Sequence, residues 1–217
     1  MFFTHTLRAA GATLLMMGTT AMAAPSVSAV EGSCKHPITI SAKDDAALRD
    51  AFNKAHGSVR LVFLIDPICP TCLRGLKDID TAVLSSHKAD PALQTFVIHT
   101  PVLGATEANT ANTCSIVHNE HVAHYWDPNQ ELGSLFSSAL GMTKDGHEIY
   151  AWDVWLIYGP NAEWIGHAPP KAEFLMHQLP DLIGRDGFPF LKASIFGDEV
   201  ETQLHAVTRT SAAKSSP

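Results

Sequence analysis

The feature that most constrains this chain is Cys69-Pro70-Thr71-Cys72, because of where it stands. Before it runs Leu61-Val62-Phe63-Leu64-Ile65, a short continuous apolar stretch flanked by Gly57-Ser58 and Asp66-Pro67, the pattern of a strand covered on both faces. After it, Leu73, Leu76, Ile79, Val83 and Leu84 recur at helical spacing. Two thiols three positions apart thus sit at a strand-to-helix junction, where unpaired backbone N–H groups and the helix dipole favour a thiolate. A lone CxxC serves redox chemistry or a metal. A zinc site usually brings a second CxxC or an HxxxH, and this sequence has neither, so the context favours redox.

Residues 1–23 read as an export leader: one cation, Arg8, then the small and apolar run Ala9 to Gly18, then Ala21-Met22-Ala23 as a small-x-small cleavage site. The run is about half the ~20 residues a spanning helix needs, so stable membrane insertion is not expected. The expected location is the periplasm or the secreted fraction. The whole chain has 15 basic and 22 acidic residues; the leader holds only Arg8, so the mature part is more acidic still. No basic run rises above that background, which argues against nucleic acid as a partner. Cys34, Cys69, Cys72 and Cys114 all follow the cleavage site and would meet an oxidising compartment. Four thiols allow three pairings. Proximity favours Cys69 with Cys72, leaving Cys34 with Cys114 as a candidate structural disulfide.

Along the chain, residues 24–43 read as a linker. Residues 44–56 carry a helical pattern (Ala47, Leu48, Ala51, Phe52) that Gly57 ends, and 60–65 a strand. A helix over 71–87 and a second strand over 93–99 follow, an alternation that implies a parallel pair with a crossover. Residues 101–112 read as loop or frayed helix, 114–121 as a short helix and 129–140 as a helix. The run Ala151 to Tyr158 is a strand, and Gly159-Pro160-Asn161-Ala162 a turn that predicts a hairpin partner at Glu163-Trp164-Ile165. Residues 171–179 predict a last short helix. One domain over 44–185 is expected, with 186–217 a largely disordered tail.

In a CxxC at a helix start, Cys69 is the expected nucleophile. Pro70 suits the first helical position because it has no N–H to lose. Cys72, one turn in, is the expected resolving thiol. Arg74 and Lys77 read as solvated helix charges, and Trp126, Trp152, Trp155 and Trp164 as packing. Asp153 lies between Trp152 and Val154-Trp155 in an apolar strand, where an unpaired carboxylate is costly; it needs a partner or a role. His118, His121 and His124 recur every third residue, so a soft-metal site drawn from Cys69, Cys72, Cys114 and His118 is the rival to redox.

The order strand, CxxC helix, strand, insertion, hairpin, helix resembles the thioredoxin fold, and Phe63 to Cys72 is similar to its active-site approach. The blocks His124-Tyr125-Trp126-Asp127 and Ala151-Trp152-Asp153-Val154-Trp155-Leu156 resemble those of exported bacterial thioredoxin-like proteins. The resemblance implies an α/β fold: a central mixed sheet flanked by helices, with a helical insertion between βαβ and ββα halves. It implies a thiol-disulfide oxidoreductase without cofactor, working on protein thiols and disulfides with a redox partner protein. The alternative is metal binding or delivery through Cys69, Cys72 and a histidine. The chain departs from the family twice. Asp153 stands where a cis-proline would lie, and Phe63 where a buried acid would, so Asp153 or Asp66 is expected to handle the Cys72 proton.

Overall fold

The computed structural model describes Met1 and residues 36–215. The expected leader, and Cys34, lie outside the described residues. The sheet runs in the order β1 (Ile38–Thr39), β4 (Val122–Trp126), β3 (Leu93–His99), β2 (Val59–Ile65), β7 (Val154–Tyr158), β8 (Phe174–His177). Its centre is β2 (Val59–Ile65) and β3 (Leu93–His99), buried at every position and paired in parallel from Val59 with Leu93 to Ile65 with His99. The apolar runs Leu61 to Ile65 in β2 and Phe96 to Ile98 in β3 do not alternate with polar residues because helices cover both sheet faces, leaving no solvent side. Between them lies α2 (Pro70–Ala82), as the sequence predicts, though it is shorter than expected: Val83 breaks the dihedrals and a 3-10 turn follows at Leu84–Ser86.

On one flank β4 (Val122–Trp126) joins β3 in parallel, and β1 (Ile38–Thr39) joins β4. On the other, β7 (Val154–Tyr158) runs antiparallel to β2, and β8 (Phe174–His177) antiparallel to β7. Helix α1 (Ala46–Lys54) buries Leu48 and Phe52, each fully enclosed side chain worth about 1.5–3 kcal/mol. A 3-10 turn at Glu107–Thr110 leads into α3 (Ala111–Cys114). Helix α4 (Glu131–Leu140) is capped by Asp127, whose carboxylate accepts the N–H groups of Glu131 (3.1 Å) and Leu132 (2.8 Å). A small hairpin, β5 (Thr143–Lys144) and β6 (His147–Glu148), turns at Asp145-Gly146, both left-handed as a two-residue turn requires.

The structure corrects several expectations, among them the short helix over 114–121: α3 ends at Cys114, and residues 115–121 are turn and loop. The hairpin partner of β7 is β8, within the stretch expected to be helical, while Glu163-Trp164-Ile165 forms no strand. Leu and Met favour helix locally, but the free edge of β7 overrides that preference. Trp164 is held instead by the Asn53 side chain, which accepts its N–H (2.8 Å) and donates to its carbonyl (3.0 Å), standing in for a strand neighbour. The insertion between β3 and β7 is not purely helical, since it contains β4. The 24–43 segment is not all linker: Ile38 pairs with Tyr125 and Ile40 is buried. Residues 186–215, expected as a largely disordered tail, are structured. Residues 189–191 run along β8, and α5 (Ala193–Ser215) packs on α2 with Phe196, Val200 and Leu204 in the core. Those three recur every fourth residue, an apolar stripe that a polar, Ser- and Ala-rich end obscures.

Candidate active site

Cys69 caps the N-terminus of α2 in an extended conformation, with Pro70 as the first helical residue. The backbone N–H of Cys72 donates to Cys69 Sγ at 3.3 Å, so one of the orphan donors of the first helical turn is spent on sulfur. Thr71 also hydrogen-bonds it. Bonding from Cys72 is the largest influence on the Cys69 thiol and, against the opposing cost of burial, lowers its pKa to about 5. Cys72 is fully enclosed, and burial above all, then the bond to Cys69 and the Asp153 charge, drive its pKa upward. One thiol is therefore ionised at neutral pH and its neighbour keeps its proton. Both are free thiols, and only Cys69 retains any exposed surface, 3%.

Asp153, just before β7, completes the group. Cys69 Sγ, Cys72 Sγ and an Asp153 carboxylate oxygen lie within 4.8 Å of one another, all three residues buried. Burial chiefly, then the Cys69 charge, raises the Asp153 pKa to about 7, while Cys72, Trp155 and the positive Arg74 favour its ionised form. Arg74 is solvent-exposed but electrostatically part of the site, and Lys77 is exposed on the same helix. Asp153 has φ 50° and its peptide bond is trans, so this loop differs in kind from a cis-proline turn. Asp66 is not in the group. Its carboxylate is occupied by the N–H groups of Ile68 (2.9 Å) and Leu103 (2.6 Å), which fix the β2-to-α2 turn and the loop after β3. Phe63 packs against Trp155 and Phe196.

The rival metal set of Cys69, Cys72, Cys114 and His118 does not assemble. Cys114 is disulfide-bonded, and Cys34, the partner expected for it, lies outside the described residues. His118 Nδ1 is bonded to the Cys114 carbonyl (2.9 Å), His121 to Gln94 (3.1 Å), and His124 stacks on His99 inside the sheet at 5.3 Å. The three-residue spacing spreads these histidines over a turn and a strand instead of one helix face. Gln178 was not singled out from the sequence. Its backbone N–H donates to the Asp153 carbonyl (3.0 Å), and nothing in the local sequence signals it.

A parallel strand ending in CxxC at a helix start, with an antiparallel pair on its other edge, defines the architecture. The fold is thioredoxin-like. No protein-family model matches the chain, and no curated protein matches its sequence. Solved structures with a similar chain path include a candidate protein disulfide isomerase from Bacteroides thetaiotaomicron (10% identity, TM-score 0.44, covering 71% of this chain and 78% of that one). They also include a thiol:disulfide interchange protein of the thioredoxin family from Chlorobium tepidum TLS (11% identity, TM-score 0.42, 76% and 90%). A third is a SCO1/SenC family lipoprotein from Bacillus anthracis (9% identity, TM-score 0.43, 69% and 83%). At these scores they carry no residue roles across.

Proposed function

We propose that this protein is a thiol-disulfide oxidoreductase that exchanges disulfides with protein partners through Cys69 and Cys72. The observation that carries the reading is the division between two free thiols 4.8 Å apart or less, one stabilised as a thiolate at a helix start and the other kept protonated behind it. Cys69 attacks a partner disulfide, or is attacked when oxidised, and Cys72 resolves the mixed disulfide. A stabilised thiolate also stabilises the reduced form, so the couple is expected on the oxidising side of thioredoxin's about −270 mV. The leader expected over residues 1–23 supports an exported compartment for this activity. Among the described residues no helix is long and apolar enough to cross a membrane.

The test is the reduction potential of the Cys69/Cys72 pair, measured against glutathione, together with reduction or oxidation of a model protein disulfide. A potential below about −300 mV with slow exchange would identify a permanent structural bridge and end the proposal. Anaerobic titration of the reduced protein with Cu(I) addresses the metal-delivery alternative. Tight one-to-one binding with no thiol exchange would favour it.

A further inference from the structure

Asp153 is sterically and electrostatically disfavoured where it stands, left-handed at a non-glycine residue and buried with its carboxyl. A conformation of that kind persists only where neighbours over-determine it. Gln178, the residue after β8, holds it from two directions. Its backbone N–H donates to the Asp153 carbonyl. With the side-chain amide turned so that each of its atoms finds a partner, its NH2 donates to Asp153 Oδ1 at 3.0 Å and to the Thr71 carbonyl at 3.3 Å. One side chain therefore ties the acid to the first turn of the CxxC helix. Gly75, one turn along α2, leaves room for it: a Cβ there would collide with the amide of Gln178 and lie 2.9 Å from the Trp155 ring.

We propose that Gln178 is a positioning residue that aims the Asp153 carboxylate at Cys72, so that Asp153 takes the Cys72 proton when the mixed disulfide is resolved. This rests on the exchange reading above. In the step, the Cys72 S–H bond breaks and its proton passes to the carboxylate. The sulfur attacks Cys69 Sγ, the bond from Cys69 to the partner sulfur breaks, and the partner leaves as a thiolate that takes a proton from solvent. The two cysteines are oxidised to a disulfide and the partner disulfide is reduced. In the mixed disulfide Cys69 carries no charge, so the repulsion it exerts on Asp153 is gone and the carboxyl ionises more readily. The other groups that bear on the carboxyl are Arg74 and Cys72 on α2 and Trp155 on β7. His177, next to Gln178, is engaged by Leu179 N–H (2.9 Å) and the Phe188 carbonyl (2.9 Å).

Ellman's reagent reads the step directly on the full-length reduced protein. It labels Cys69 and releases one chromophore, and attack by Cys72 releases the second. The second release should fall at low pH with the protonation of Asp153. Gln178→Glu keeps the shape but replaces a donor with an acceptor, and should move that acid limb up by about one pH unit or more. Gln178→Leu, which lacks the donor, and Gly75→Ala, which displaces the amide, should move it in the same direction. Asp153→Asn should abolish the limb. A limb that stays at the wild-type pH in folded Gln178→Glu and Gln178→Leu overturns the proposal. If the wild type labels at Cys69 but never gives the second release, the exchange reading itself fails. The clamp is then judged by the infrared carboxyl band of Asp153 in the oxidised protein: a shifted titration in Gln178→Glu supports it, and an unchanged one refutes it.

Discussion

Two regions of this chain bring sulfur and imidazole or carboxyl together, and they end differently. One is Cys69, Cys72 and Asp153 at the carboxyl end of β2. The other is Cys114, His118, His99 and His124, where α3 and the following turn meet β3 and β4. In the first, a backbone N–H of a helix start and a buried acid face the sulfurs and leave them unbonded to each other, so their protonation states diverge. In the second, the sulfur is already spent in a disulfide, and the imidazoles are tied up: His99 by the Tyr125 carbonyl (2.8 Å) and Thr113 (2.6 Å), His124 by the Val117 carbonyl (3.2 Å). Residue type is similar in both. What separates chemistry from scaffolding is whether the local backbone leaves the groups' bonding capacity for a substrate or consumes it.

The largest expected effect breaks the symmetry between the cysteines. Cys69→Ser should lower disulfide exchange by roughly a thousandfold or more, because the nucleophile is gone. Cys72→Ser should instead accumulate mixed disulfides with partner proteins, visible on non-reducing gels. Cys114→Ser should leave exchange nearly intact while lowering unfolding free energy by about 2–4 kcal/mol, measured in denaturant. Exchange lost equally in Cys114→Ser, with the fold retained, would put the chemistry in the wrong region.

A second contrast lies in acid stability. Burial, reinforced by the charge of His124, lowers the His99 pKa to about 3, and burial lowers that of His124 to about 4. Unfolded histidines titrate near 6.5, so between about 6.5 and these folded values the unfolded chain binds more protons than the native one. Stability should therefore fall as pH drops through that window, with a slope approaching about 1.4 kcal/mol per pH unit for each histidine that stays neutral in the fold. Asp153 works in the opposite sense over its own range. Its raised pKa means that the native state holds a proton the unfolded state has lost, so its contribution is fully present below about 3.9 and is lost as pH rises through about 7. Denaturant melts of wild type and His124→Gln from pH 7 to pH 4 measure the first effect. Parallel curves would show that His124 is not held neutral.

The two regions also differ in how far the sequence exposes them. β2, the start of α2 and β3 are legible because their signals are local: the apolar run Leu61 to Ile65, a proline at the first helical position, and the apolar stretch Phe96 to Ile98. The cost of a carboxylate in an apolar strand says only that Asp153 needs a partner, and its nearness to the thiols is an expectation of the resemblance to the thioredoxin fold. β4 and β8 were missed because each is a short strand whose stability comes from a neighbour distant in sequence, and His124 or Met176 gives no hint of which neighbour. The C-terminal helix was missed although Phe196, Val200 and Leu204 form a stripe, since its surrounding composition resembles a solvated tail. Gln178 was illegible for the same reason as β8. Its role exists only once β8 is laid beside β7 and delivers it to Asp153.

The smallest expected effect is the one that best separates charge from geometry within the site. Iodoacetamide labelling of the reduced protein should follow a thiolate with a midpoint near the low value set for Cys69, far below the ~8.5 of a free thiol. As pH rises, Cys69 ionises before Asp153, because Asp153 holds its proton to about 7. The carboxyl is therefore still neutral at the first midpoint, and Asp153→Asn should leave that midpoint almost unmoved. Above pH 7 the wild type gains a second negative charge beside the thiolate and its labelling rate should show a further inflection, which Asp153→Asn removes. The change in rate is modest, since the thiolate is already formed. A first midpoint near 8.5 in either protein would show that the helix start does not stabilise Cys69, and the contrast between the two regions would lose its physical basis.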